Sequence, residues 1–552
     1  MSKMFRLVWL RRLSQALFLV LFLVLFAMTT LPVDTAEIME EAYILDAPVA
    51  WFFHLDPLLA TTYFLASRSF LTDFLWVIPV VVLAILLNRT FCGWICPLGT
   101  IHHLFSRGRK SLNRKLRRNR WKWRPSRNVK YVVLMVVVAA AALGANWVGW
   151  LDPFSFLTRS LAVVVHPVLG ATLDGLIRVL DSLGFMAVSD FLLDTLRGTV
   201  TPFQSRYFVH AFLIGGLLFL VLWLNRIETR FWCRYICPLG ALLGTCAVRA
   251  PLVLEKDDEK CTRCKLCLKH CQGGDQPIAG ENWIPSECHF CYNCVDVCPE
   301  DALAFRFRGR PTAVREREYL PDVDRRVVLG GLMGGLFLAP LQSIGAENLE
   351  KGEAGYKISD RLIRPPGAAA EPEFLRKCVK CGACMKVCPT NALHPAGWEA
   401  GFSGMWTPML VPKVGYCDDR CTLCGQVCPT EAIRQVTLDE KLGLNGREPI
   451  KIGLAYVDRN RCLPWAQGVP CIVCEEVCPT VKGEKAIKLI PDTVRTPNGR
   501  MVDVRKPTID QEFCIGCGIC ENKCPVKDSS AIIVTCVGET RSRYNRISVS
   551  SV

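Results

Sequence analysis

The sequence predicts an α-helical membrane domain of five spans joined to two small cysteine-rich α+β domains, one on each side of the bilayer. Three observations predict it: apolar runs of near span length in the first two thirds of the chain, contrasting charge in the loops between them, and 30 cysteines, most of them in tight repeated groups. With 552 residues the chain is too long for one domain, and at 51% apolar residues it is too apolar for an ordinary soluble one. The net charge of +15 does not point to nucleic acid, because the basic residues gather in loops beside apolar runs.

A lipid span needs roughly 20 mostly apolar residues. Four runs meet or approach this: Leu17 to Leu31, Phe74 to Leu87, Val129 to Trp147 and Tyr207 to Leu224. A fifth, Val327 to Ile344, is shorter and glycine-rich. The connector from Arg89 to Lys130 holds thirteen Lys or Arg and no acid, which places it in the cytoplasm by the positive-inside rule. Val33 to Phe70 has six acids against one Arg, and Leu151 to Arg206 is nearly balanced, so both lie outside. The N-terminus, with Lys3, Arg6, Arg11 and Arg12, is inside. Further spans follow the first run, and it lacks a clear small-residue cleavage site, which sets it apart from a cleaved signal peptide. Leu161 to Leu180 is apolar but broken by His166-Pro167, Asp174 and Arg178, and is expected as an amphipathic interfacial helix.

Cysteine spacing carries the chemistry. A [4Fe–4S] cube needs four thiolates around a small object, three from one tight loop and the fourth from elsewhere, and C-x2-C-x2-C-x3-C-P encodes that. The first two quartets are Cys261, Cys264, Cys267, Cys271 and Cys288, Cys291, Cys294, Cys298-Pro299. In two-cluster ferredoxins the fourth Cys of each run serves the other cluster, so Cys298 is expected with Cys261, Cys264 and Cys267, and Cys271 with Cys288, Cys291 and Cys294. Gln272 stands where a proline is expected. Four more quartets follow: Cys378, Cys381, Cys384, Cys388; Cys417, Cys421, Cys424, Cys428; Cys462, Cys471, Cys474, Cys478; and Cys514, Cys517, Cys520, Cys524, each closed by a proline. Asn391-Ala392-Leu393, Glu431-Ala432-Ile433, Lys485-Ala486-Ile487 and Ser530-Ala531-Ile532 follow them, which reads as a repeated ferredoxin-like half-unit of short helix and short strand. Zinc ribbons need neither the third Cys nor the distant Cys-Pro, and triplets this close cannot pair as disulfides without strain. Six [4Fe–4S] clusters are therefore expected.

Two further motifs, Cys92-Gly93-Trp94-Ile95-Cys96-Pro97 and Cys233-Arg234-Tyr235-Ile236-Cys237-Pro238, each follow an even-numbered span and repeat the preceding Leu-Asn-Arg as well. Their four thiols are expected to converge on one cofactor site, either a further cluster or a redox-active dithiol pair; the alternative is inert interfacial thiols set by a helix-stopping proline. Cys246 and Cys536 are left without a role. His102 and His103 are candidates for taking a quinol proton, with contact to lipid headgroups as the bland alternative. There is no C-x-x-C-H haem attachment site, no flavin motif and no nucleotide fingerprint.

Between the cluster sets, Asp324-Arg325-Arg326-Val327-Val328-Leu329-Gly330 resembles a twin-arginine export signal placed internally. Clusters are built on free thiols in the reducing cytoplasm, so export in folded form suits a domain meant for the outside. The span count agrees, because four spans leave Cys261 to Cys298 inside and a fifth puts Cys378 to Cys524 outside. The domains read as 1–250, four spans with the two Cys-x3-Cys-Pro motifs; 251–323, a cytoplasmic two-cluster domain; 324–346, the signal-like fifth helix, with Ala346 as a place where cleavage would fall; and 347–552, a periplasmic four-cluster domain. The location is a bacterial inner membrane.

On these motifs, residues 1 to about 320 resemble the NapH type of membrane ferredoxin subunit. The remainder resembles its exported partner, the NapG and MauM type, through Arg325-Arg326, Ile363-Arg364-Pro365-Pro366-Gly367-Ala368 and the four quartets. The resemblance implies a fusion that oxidises quinol, such as menaquinol, at the membrane and delivers electrons to a periplasmic reductase system, in the nitrate case through a c-type cytochrome. It also implies that the exported quartets pair first with fourth and second with third, so that Cys524 completes the Cys378 cluster and Cys388 the Cys514 cluster. A hydrocarbon core of about 30 Å separates the two cluster sets. Quinol oxidation near one face is therefore expected to feed the nearer, exported clusters, with a donating or sensing role for the inner ones, unless a partner haem protein fills the gap. The alternatives are an accessory donor for maturation of a periplasmic enzyme, as in methylamine utilisation, and a redox-sensing membrane scaffold.

Overall fold

The computed structural model describes residues 3–30, 45, 50–107, 128–196, 206–273, 277–278, 283–307, 325, 328–338, 340, 360–495 and 501–542. They form two compact units, each drawn from separate stretches of chain: Met1–Phe26, Val49–Leu157 and Leu213–Pro340 in the first, Ala27–Pro48, Thr158–Phe212 and Leu341–Val552 in the second.

In the first unit the apolar runs are helical but shorter than five full spans. Thr72–Leu87, Val129–Ala142, Ala211–Arg226 and Val328–Leu338 all fall below the length that crosses a hydrocarbon core. Local backbone stops them: Asn88, Gly144 and His210 adopt left-handed φ values of 59°, 86° and 66° beside the helix ends. Two helices are long and apolar enough to cross a bilayer, Leu7–Met28 and Pro153–Ser182. The second of these contains Leu161 to Leu180, the stretch expected as an interfacial helix, within a longer continuous helix. Pro167 cannot donate to the helix ladder, and the wide π-turn Leu161–Val165 just ahead of it absorbs the fault without breaking the helix. Of the twin-arginine pair, Arg325 is helical, whereas Asp324, Arg326 and Ala346 lie outside the described residues, as do most of the basic connector and residues 31–44.

The glycines of the fifth run have a packing reason. A Cβ added to Gly335 would stand 2.5 Å from the Ala139 Cβ and 2.8 Å from the Val136 carbonyl, so Val328–Leu338 lies directly against Val129–Ala142. Leucine at Gly335 is expected to separate these helices and destabilise the first unit by about 1–3 kcal/mol, the usual range for overpacking. A thermal midpoint in detergent equal to that of the unmodified chain would contradict this contact.

A repeat unnoticed in the sequence organises the unit. Leu55-Asp56-Pro57 and Leu151-Asp152-Pro153 each open a helix, as the two Cys-Pro pairs do. Asp56 caps its helix through Leu58 and Leu59 N–H at 2.8 and 3.1 Å, and Asp152 accepts from Ser155 N–H at 2.7 Å. Both carboxyls are fully buried, each leaving one oxygen without a hydrogen-bond partner, and burial with the repulsion of Asp152 raises Asp56 well above the usual carboxylate range. Around them Phe52, Phe53 and Phe91 pack on Phe154 with centroids 6.1–6.4 Å apart.

The short helix and strand expected after each quartet appear in most repeats. Antiparallel pairs join Leu252–Lys256 to Leu303–Phe307, Leu393–Pro395 to Pro408–Leu410, Leu454–Val457 to Ile532–Thr535 and Ile487–Arg495 to Met501–Ile509. After Cys428 the strand shrinks to a single bridge, Ala368 to Ile433.

Candidate metal centres

The C-x2-C-x2-C loops fold alike for a local reason. The residue after the second Cys takes a left-handed conformation, as in Gly382 (φ 76°) and Gly518 (φ 84°), and starts a one-turn helix that carries the third Cys. The closing Cys-Pro is followed by a turn that aims backbone donors at its sulfur: Ala392 N–H to Cys388 Sγ at 3.3 Å, Ile433 to Cys428 at 3.5 Å and Ala531 to Cys524 at 3.4 Å. This geometry explains the recurring buried alanines 392, 432, 486 and 531.

In the first unit, Cys261, Cys264, Cys267 and Cys298 line one cavity of about 350 Å³ including its mouth (site I). Cys271 joins Cys288, Cys291 and Cys294 (site II). In the second unit the grouping departs from the one the resemblance implies. Cys428, not Cys524, stands with Cys378, Cys381 and Cys384 (site III), and Cys388 stands with Cys417, Cys421 and Cys424 (site IV). Cys524 lines a cavity of about 340 Å³ with Cys462, Cys471 and Cys474 (site V). Cys478 stands with Cys514, Cys517 and Cys520 (site VI). Each ferredoxin-like pair therefore exchanges its fourth cysteines with its sequence neighbour.

Neighbouring sets come within electrostatic reach of one another in a definite order. Cys384 of site III interacts with Cys424 of site IV, Cys417 of site IV with Cys517 of site VI, and Cys520 of site VI with Cys474 of site V. Cys417 N–H also donates to the Cys517 carbonyl at 2.8 Å. The series runs III, IV, VI, V.

Burial pushes the thiols of Cys381, Cys421 and Cys474 up to about 12, with neighbouring thiols of their sets adding to the rise. As thiolates they require positive charge among them. Yet among the described residues no three His, Cys, Asp or Glu side chains converge closely enough for a single ion. Grouped sulfurs spread this widely fit a cubane better than a tetrahedral zinc ion.

The Cys-x3-Cys-Pro motifs do meet. Cys92, Cys96, Cys233 and Cys237 are buried and interact with one another. Cys96 and Cys237 each accept a backbone N–H, from Gly99 at 3.5 Å and Gly240 at 3.4 Å. Arginines tie this pocket to site II. Arg234 donates to the carbonyls of Cys271 (2.6 Å) and Gln272 (2.9 Å), Arg230 to that of Cys92 (3.1 Å), and Arg89 to that of Cys233 (3.3 Å), while Arg89 N–H donates to the Cys288 carbonyl at 3.2 Å. Sequence reading missed Glu287, whose carboxylate receives Lys130, Arg89 (3.4 Å) and the Tyr131 hydroxyl (3.0 Å) in a fully buried network. The clue was an acid immediately before Cys288.

His102 is fully buried, with Nδ1 2.6 Å from the Asn225 amide, and burial lowers it to about 4. Half-buried His103 lies 2.8 Å from the Gln272 amide, which gives the missing proline a reason.

Within the second unit Arg159 and residues 206–212 pack beside sites III and IV. Arg159 stacks on Trp406 (4.6 Å) and donates to the Lys380 carbonyl (2.8 Å), and Asn391 donates to the Tyr207 carbonyl (2.9 Å).

Comparison with known proteins agrees with the cysteine geometry. A 4Fe-4S binding domain family matches residues 71–122 and 208–249, a 4Fe-4S dicluster domain family residues 254–299, and a second 4Fe-4S binding domain family residues 375–394 and 507–527. The methylamine utilization ferredoxin-type protein MauM of Paracoccus denitrificans is 33% identical over 40% of this chain and 86% of its own length, and that of Methylophilus methylotrophus 33% over 31% and 69%. The ferredoxin-type protein NapG of Escherichia coli is 34% identical over 38% of this chain and 80% of its own. No solved structure matches. The chain is an iron–sulfur electron-transfer protein and belongs to the ferredoxin-type family of MauM and NapG.

Proposed function

We propose that the chain relays electrons from quinol in a bacterial inner membrane to a periplasmic redox enzyme, with its N-terminus in the cytoplasm and its four-set unit outside. The observation that carries this reading is the serial order of sites III, IV, VI and V, which suits conduction along the unit and has no use in a scaffold. Each cluster, when bound, takes up and returns a single electron without a proton. The chain's residues do the rest: twenty-four cysteines hold six clusters, and burial keeps water from the sulfurs. The N–H donors aimed at the closing cysteines favour the more negative, reduced state. The NapH-like membrane part is supported by the two motifs that meet at Cys92, Cys96, Cys233 and Cys237, and their spread and shared arginines favour a further cluster there over a dithiol pair. His103, half-buried beside site II, is the better of the two candidates for a quinol proton, because His102 is sealed from solvent.

MauM relatives bear the name of methylamine utilization, so a second reading keeps the same conduction but gives it to the maturation of a periplasmic enzyme. A soluble quinol analogue added to the anaerobic, detergent-purified chain separates the two. Bleaching of the cluster absorbance and a reduced-cluster resonance are expected; an oxidised sample that responds to dithionite but not to the quinol would remove the quinol step and leave the maturation reading.

A further inference from the structure

The sites in the second unit differ in the charges around them. Lys441 is 2% exposed, on the helix Leu438–Leu442 that Thr437 and Glu440 hold in place as a capping box. Its ammonium faces site IV: it donates to the carbonyls of Asp418 and Cys421, the latter at 2.8 Å, and its charge acts on the Cys417 thiol. The one carboxyl facing it, Asp418, accepts from Arg420 N–H at 3.0 Å. Arg206 approaches the same set from the side of Cys388.

At site VI, Cys514 has Lys451 nearby and Cys478 has Lys485, both lysines partly exposed, and Lys485 is paired with Glu475 at 3.1 Å. The strongest charges acting on Cys462 and Cys474 of site V are those of neighbouring thiols. Site III has Lys380 and Arg159, so the buried positive charge lies at the III and IV end of the series.

A cluster gains one negative charge on reduction, and a fixed cation in a low-dielectric surrounding stabilises that state. We propose that Lys441 is a tuning residue that raises the reduction potential at site IV above those at sites V and VI, so that an electron entering this unit comes to rest in the III and IV half. The proposal rests on the cluster reading of site IV and goes beyond it by giving the series an internal slope.

The test is an electron-resonance redox titration of the anaerobic full-length chain with dithionite, together with its iron content, for the unmodified protein and for Lys441→Met, Lys441→Gln and Lys441→Arg. Glutamine keeps a donor for the two carbonyls without the charge, and arginine keeps the charge. Methionine and glutamine are expected to leave the iron content unchanged and to lower one midpoint by tenfold or more in the reduced-to-oxidised ratio, that is about 59 mV for a one-electron couple, while arginine restores it. Midpoints unmoved in both neutral variants overturn the proposal. Loss of one cluster's iron in both also overturns it, because the lysine then holds the cluster instead of tuning it. If the unmodified chain lacks the iron, it is the cluster reading itself that fails.

Discussion

Serine at Cys378 and Cys428 together will cost the reconstituted protein no more iron than serine at either position alone. Both sulfurs belong to site III, and a cluster lost once cannot be lost again. Serine at Cys378 together with Cys524 will cost twice as much, because Cys524 belongs to site V. The resemblance to exported subunits implies the reverse, with Cys378 and Cys524 acting as one. Iron per chain in the singles and the two doubles decides between them, and the reverse pattern would mean that the fourth cysteines are exchanged across the unit and not between neighbours. The consequence reaches beyond bookkeeping of ligands, since the order III, IV, VI, V depends on Cys388 and Cys478 linking adjacent sets.

Removing the carboxylate of Glu287 is expected to be the most damaging single change in the first unit. Arg89 and Lys130 are fully buried beside it, and alanine there strands both charges in a dry interior. Breaking a buried pair by deleting one partner costs about 3–5 kcal/mol, far more than the pair contributes relative to apolar residues. The thermal midpoint should fall, and the 252–307 domain should become accessible to protease before the rest. A double variant, Glu287→Leu with Lys130→Met, should recover part of the loss, because it removes one of the stranded charges. An unfolding midpoint equal to that of the unmodified chain would show that water reaches this network.

The cysteine quartets were legible because a cube dictates spacing, and the grouping at sites I and II followed from the exchange of fourth cysteines known in two-cluster ferredoxins. The grouping in the second unit did not, because spacing within a run says nothing about which run supplies the fourth sulfur; resemblance supplied an answer that the fold of Cys428 and Cys524 contradicts. Helix lengths were overestimated for a related reason. Apolar composition continues through Gly144 to Trp147, whereas the helix ends at Ala142 and the backbone turns at Gly144. The convergence of Cys92, Cys96, Cys233 and Cys237 was foreseeable from their duplicated surroundings. The matching Asp56 and Asp152 went unread although the same duplication marks them, because an acid before a proline looks like an ordinary helix cap.

The strip 158–212 has a consequence for how the second unit can exist. Trp406, Lys380 and Asn391 meet Arg159 and Tyr207, residues that lie 184 or more positions upstream. A fragment beginning after residue 340 would expose an aromatic ring and buried backbone carbonyls next to its first ligand set, and would have to recruit a stranger to cover them. Carried on the same polypeptide, the cover is present at a fixed effective concentration whatever the abundance of other proteins. Site III never waits on diffusion to be sealed.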